Sequence, residues 1–292
     1  MTLMNVQTAF LELLFARLWR EYRDRVSYAR VYENLLKSRG GTFRNDHVAF
    51  RTFAAQSRWS GIAAVSRPFE ALGYRAAGAY DFPDKKLSSI HFAPPSPDLP
   101  KLFVSELRVW ELSSKARKII LRSTSKSKPG LTDAELADLS GPRRNKLLAR
   151  WVTQFARPWP APRAADAAAL EKESQFGAWT LLHGHTVNHF TAAVHAHALD
   201  ELDDIEKTVA ALKTEGVPMK PEIEGAPGSR LRQSSTLAVV VPVEMRSGSR
   251  IVKKPWTYAY FELAERPLID DRRFEGFLGG QATNLFEMTR RS

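Results

Sequence analysis

Two imidazoles and one carboxylate are the side chains from which this chain can build a reactive centre. It contains no cysteine, which removes thiolate-bound zinc, iron–sulfur clusters and cysteine nucleophiles and leaves any metal to nitrogen and oxygen ligands. The histidines stand at positions 47, 91, 183, 185, 189, 195 and 197. His47 opens the half-apolar stretch NDHVAFRTF, residues 45–53; in a strand, two-residue alternation turns His47 and Arg51 to the same side. The five histidines between 183 and 197 are all odd-numbered, but no strand runs unbroken that far, so position within the local unit decides among them. His189, in VNHFT, begins an alternating run much as His47 does and is favoured over His185, which fits only if the strand starts earlier. Glu262 lies inside the apolar run YAYFELAER, where a buried carboxylate needs a partner. A metal ion is one such partner, and Arg266, four residues along on the same face, is another. Together His47, His189 and Glu262 make the two-histidine, one-carboxylate set that leaves coordination positions open and serves non-haem iron(II) oxygenases.

Residues so far apart must be carried to one place by elements that repeat. The first 40 residues read as two helices, the first amphipathic, ended by the glycine pair Gly40 and Gly41. A strand beginning near His47 is followed by a helix ending at Gly73 and by three strands, YRAAGAYDF, LSSIHFAP and KLFVSELRVWEL. Residues 126–176 interrupt with helices, one opened by Thr132 with Glu135 three positions on, the spacing of a capping box. The earlier order then returns from Trp179: strand TVNHFTAAV, helix LDELDDIEKTVAALKTEG, strand RQSSTLAVVVPV and a last strand WTYAYFELAER. Element order thus suggests an internal duplication. In both copies a polar residue and a histidine stand at the head of the strand. The expected fold is α+β, two βαβββ-like units (41–125 and 177–292, the latter with a C-terminal loop) in a single catalytic domain, sharing a central metal-binding sheet or barrel.

Composition sets the bounds. With 292 residues, 43% hydrophobic and 26% charged, the chain is long enough and ordinary enough to fold around a substantial core. The first residues lack the pattern of a signal peptide, and the longest apolar run, TLAVVVPV, is far short of a membrane span; a cytoplasmic protein is the default expectation. The net charge of +11 raises the question of nucleic acid, but the basic residues are scattered over several segments instead of forming one stripe. Such a field favours a small anionic substrate, and neither nucleic acid nor membrane is expected as a partner.

In the order NDHVAFRTF, KLFVSELRVWELS, VNHFT, RQSSTLA and FELAER, these stretches resemble those of the 2-oxoadipate dioxygenase/decarboxylase family, within the vicinal-oxygen-chelate superfamily. The similarity covers most of the chain from about residue 40 on; YFELAER also resembles the last metal-binding strand of 4-hydroxyphenylpyruvate dioxygenases. What the resemblance implies is an Fe(2+) enzyme of lysine catabolism that takes a 2-oxo dicarboxylate, uses O2 to remove CO2 and yields a 2-hydroxy acid: 2-oxoadipate in, 2-hydroxyglutarate out. It implies His47, His189 and Glu262 as metal ligands and Arg51 as the group that grips the substrate carboxylate. Four residues of strand span about 13 Å, so His47 and Arg51 can bracket a dicarboxylate. Gln233, Ser234 and Ser235 are candidate hydrogen-bond donors into the cleft, with Gln233 and Ser235 assigned to substrate. Glu106 is read as the first-unit counterpart of Glu262. Gly279 and Gly280 suit a closing loop, which departs from the family's more polar one and leaves the 2-oxo acid open. A glyoxalase-type isomerase or lyase and a basic nucleic-acid-binding protein stand as the alternatives.

Overall fold

The computed structural model describes residues 3–55, 59–137, 139, 144–280 and 286–289. Helices α1 (Leu3–Arg25) and α2 (Ser27–Ser38) lead into β1 (Asn45–Ala54), α3 (Ile62–Glu70), β2 (Arg75–Phe82), β3 (Leu87–Ala93) and β4 (Lys101–Arg108). Next come α4 (Ser114–Thr124), α5 (Asp133–Ala137), α6 (Arg144–Gln154), α7 (Ala164–Glu171) and α8 (Gln175–His183). The second half holds β5 (Val187–Ala193), α9 (Ile205–Thr214), β6 (Arg232–Ser235), β7 (Val240–Ser247), β8 (Arg250–Thr257) and β9 (Glu262–Glu265).

Seven strands form one curled half-barrel in the order β2-β3-β4-β1-β5-β9-β6, so each half of the chain supplies one side and the halves meet at β1 and β5. That seam is antiparallel, whereas β1 with β4 and β5 with β9 are parallel. The repeat is therefore visible in strand direction as well as in element order. Alternation divides β1 between two cores. Val48 and Phe50 pack with α1 residues such as Leu14 and Trp19, while Ala49 and Phe53 face Phe103, Leu107 and Phe176. His47 and Arg51 share this second, concave side.

Thr132 and Glu135 form the expected capping box: the Thr132 N–H donates to Glu135 Oε2 at 2.8 Å and the Glu135 N–H to Thr132 Oγ1 at 3.2 Å. Three expectations change. The stretch from Trp179 to His183 belongs to α8, whose nine residues are all buried; a helix apolar all round has no stripe to betray its period. The expected strand over 232–243 splits into β6 and β7, and the one over 256–266 splits into the end of β8 and β9. Tyr258, Ala259, Tyr260 and Phe261 between them are all buried, which a strand with one solvated face cannot provide. The freed β7 and β8 pair as a hairpin around Gly248 and Ser249, with Gly248 at φ +61° as a two-residue turn requires. Among the described residues no helix is long and apolar enough to cross a membrane.

Candidate metal centre

Three neighbouring strands bring the three candidate ligands together. Across the seam His47 lies opposite Thr191 and Ala49 opposite His189, while on the far side of β5 Thr191 lies opposite Glu262. Ligand atoms of His47, His189 and Glu262 consequently lie within 4.8 Å of one another, all three residues being buried. His47 Nε2 is 3.5 Å from Glu262 Oε1, and His189 Nε2 is 3.4 Å from Oε2. His185 is elsewhere: it follows α8 and meets Thr52 Oγ1 at 3.1 Å.

Each imidazole is fixed by the residue before it, which gives the shared polar–histidine pattern its physical meaning. His47 Nδ1 bonds Asp46 Oδ1 at 2.8 Å and His189 Nδ1 bonds Asn188 Oδ1 at 3.1 Å, so both rings turn Nε2 inward as metal ligands of this kind do. Asp46 is in turn gripped by Arg266, with contacts of 2.6 and 2.9 Å between two buried side chains. Burial alone would raise the Asp46 carboxyl, but Arg266 and His47 outweigh it and hold it well below the usual range. Arg266 is thus spent on Asp46 and not on Glu262. Gln233 Nε2 donates to Glu262 Oε1 at 2.5 Å, orienting the carboxylate. Oε2 is buried without a hydrogen-bond partner among the described residues. Burial pushes Glu262 up to about 8, and burial first, then Asp46's weaker opposing pull, leaves His47 lowered. Burial, with His47 and Arg51 nearby, holds His189 well below its ordinary value. Two neutral imidazoles around a carboxylate oxygen that no described residue hydrogen-bonds fit a divalent cation, which would satisfy that oxygen and take the place of the Thr191 hydroxyl, 3.1 Å away, at His47 Nε2.

Arg51 lines the same cavity as the trio. Its guanidinium, on a residue 2% exposed, donates from Nη1 to Thr289 Oγ1 at 2.9 Å and lies over the rings of Phe176 and Trp179, 4.8 and 5.0 Å from their centroids. Phe277 closes the other side, its ring 4.8 Å from that of His47. The strap carrying it is tied down by Arg266, which donates to the carbonyls of Phe274 and Gly276 at 2.7 Å each, and by a Lys101–Glu275 ion pair at 2.5 Å.

Ser235 lies opposite Glu262 across β6 and β9, its Oγ buried without a hydrogen-bond partner among the described residues; Ser234 Oγ meets the Glu222 carbonyl at 3.4 Å. Glu106 is not the counterpart of Glu262. In β5 and β9 the position two after the histidine faces Glu262, whereas in β1 and β4 the same position, Ala49, faces Phe103. Glu106 Oε2 instead accepts from the Ile62 N–H at 2.8 Å, at the start of α3. Of the expected closing loop, residues 281–285 lie outside the described residues. Sequence reasoning passed over Asp46, Asn188, Phe277, Gln175 and Thr289 as site residues; the repeated polar–histidine pair is the one signal that pointed to the first two.

Residues 24–277 match the model of the 2-oxoadipate dioxygenase/decarboxylase family. The chain is 30% identical over 270 residues to the chloroplastic 2-oxoadipate dioxygenase/decarboxylase of Arabidopsis thaliana, covering 84% of this chain and 67% of that protein. Among solved structures, the hydroxyglutarate synthase of Oryza sativa in complex with 2-oxoadipate is similar at a TM-score of 0.82 and 27% identity, over 98% of this chain and 93% of that one. A glyoxalase-superfamily protein from Ralstonia eutropha JMP134 is similar at a TM-score of 0.83 and 26% identity, over 93% and 86% of the two chains. A match of that extent, on a chain whose two half-sheets converge on buried imidazoles and a carboxylate, means that the chain belongs to the 2-oxoadipate dioxygenase/decarboxylase family.

Proposed function

We propose that this chain is an iron(II)-dependent dioxygenase/decarboxylase that converts 2-oxoadipate and O2 to 2-hydroxyglutarate and CO2. The observation that carries the reading is a buried cluster of two histidines and one glutamate sharing a cavity with a buried arginine on the same strand as the first histidine. The names borne by the Arabidopsis and rice relatives point the same way. Atoms balance: the six-carbon keto acid gains both oxygen atoms of O2 and loses one carbon as CO2.

Iron(II) held by His47, His189 and Glu262 would supply the redox chemistry with O2. The chain's own residues do the rest. Asp46 and Asn188 keep each Nδ1 occupied, so that Nε2 faces the centre; the Thr191 hydroxyl, 3.1 Å from His47 Nε2, gives way when that nitrogen takes the metal. Arg51 takes the carboxylate remote from the keto group with its planar fork, and the faces of Phe176 and Trp179 keep water from that fork and strengthen its charge. Phe277 covers His47 and shields the reacting end of the cavity. Gln233 prevents the Glu262 carboxylate from turning.

The test is anaerobic loading with iron(II) followed by addition of oxygen and 2-oxoadipate. One O2 consumed for each CO2 released, with 2-hydroxyglutarate as product, is the expected result, and Glu262→Gln or His47→Ala loses it. Rearrangement of a substrate without oxygen uptake would move the chain to the isomerases of its superfamily instead.

A further inference from the structure

We infer that Thr289, in the C-terminal turn, is a positioning residue that fixes the Arg51 fork and thereby sets the preference for a dicarboxylate over a 2-oxo monocarboxylate. This rests on the proposed role of Arg51 in holding the substrate's remote carboxylate.

Thr289 is 1% exposed, and its groups are engaged from three directions. Its Oγ1 accepts from Arg51 Nη1 at 2.9 Å and donates to Gln175 Oε1 at 2.9 Å, while its carbonyl accepts from Thr257 Oγ1 at 2.6 Å. A hydroxyl has one proton and two lone pairs. With its proton committed to Gln175, the oxygen's lone pairs are directed at Arg51, so the hydroxyl cannot rotate to compete as a donor. Gln175 opens α8 and Thr257 ends β8. The turn at 286–289 therefore clips a helix to a strand directly behind the guanidinium.

The rings of Phe176 and Trp179 hold the guanidinium plane. They leave rotation within that plane free, because a ring face offers no directional acceptor. The Thr289 hydroxyl supplies that direction from behind, beside the Tyr260 hydroxyl, which also hydrogen-bonds Arg51. A fork binds a carboxylate through two parallel N–H groups and loses much of its advantage when turned by a few tens of degrees.

The experiment measures anaerobic binding of 2-oxoadipate and 2-oxohexanoate, which lacks the remote carboxylate, by calorimetry on the metal-loaded protein. Thr289→Val, which keeps shape and removes the hydroxyl, is expected to weaken 2-oxoadipate about tenfold and leave 2-oxohexanoate unchanged, the loss of one hydrogen bond to a charged group being of this order. Thr289→Ser should stay close to the parent protein, and in an Arg51→Ala background Thr289→Val should add nothing. Gln175→Met releases the hydroxyl proton and should weaken 2-oxoadipate in the same direction, which carries the test if the valine variant does not fold. Equal weakening of both acids, or a full Thr289→Val effect without Arg51, would overturn the inference, as would a parent protein with no preference for the dicarboxylate. A protein that shows the preference and its loss in Thr289→Val, yet consumes no oxygen, would sink the proposed reaction and leave this inference standing.

Discussion

At the residue scale the two histidines are supported unequally, and the inequality can be measured. Asn188 is a neutral side chain bonded to His189, whereas Asp46 is a buried anion that serves His47 and Arg266 together. Asn188→Ala should cost metal affinity about 10- to 100-fold, the usual loss when the partner of a ligating imidazole is removed, with little change in folding stability. Asp46→Asn should cost affinity too, but it also strips a buried arginine of its counter-charge, a change worth about 3–5 kcal/mol. The two carbonyls that Arg266 also meets keep the expectation at the lower end of that range. Competitive metal titration and urea unfolding separate the two effects. If Asp46→Asn proved as stable as Asn188→Ala, the Asp46–Arg266 pair would not be the brace described.

At the element scale, Glu106 shows how strand register reassigns a residue that sequence alone places by analogy. Helix α3 begins after Gly61, which sits at φ +91° and has no side chain to cap the exposed N–H groups. The Thr52 hydroxyl accepts the Gly61 N–H at 3.0 Å and the Glu106 carboxylate accepts that of Ile62 at 2.8 Å, so two adjacent strands cap the helix and place a negative charge at its positive end. Glu106→Ala is expected to cost about 1–2 kcal/mol, read as a fall in Tm of a few degrees, with metal affinity unaltered. A loss of metal without a loss of stability would restore Glu106 to the site. The strands of the first unit were legible because their apolar residues alternate or run between clear turn signals. Helix α8 was not, since a segment buried on every side carries no period, and the β7–β8 hairpin was hidden because RQSSTLAVVVPV reads as one strand although only Arg232–Ser235 belongs to the main sheet. His47, His189 and Glu262 could be named from residue type and place in the repeat. Thr289 could not, because nothing local in FEMT signals a contact with Arg51, 238 positions away in sequence.

For the molecule as a whole, the site doubles as a joint. The half-barrel is continuous only through the β1–β5 seam, whose register shifts near both His47 and Ala49. His47 comes from one side of the seam and His189 and Glu262 from the other. A cation bound by all three ties the halves together and satisfies a carboxylate oxygen that has no hydrogen-bond partner among the described residues. An ion that binds the folded state alone and is present at a hundred times its Kd adds about 2.7 kcal/mol, or about 5–10 °C in Tm for a chain near this size. Calorimetry should therefore show Tm rising with added divalent metal and falling when a chelator removes it. In Glu262→Gln, which keeps the shape and the Gln233 side of the site while discarding the charge, the dependence on metal should vanish. A Tm indifferent to metal in the unaltered protein would mean that the trio is an internal hydrogen-bonded cluster and not a coordination site, and the dioxygenase reading would fall with it.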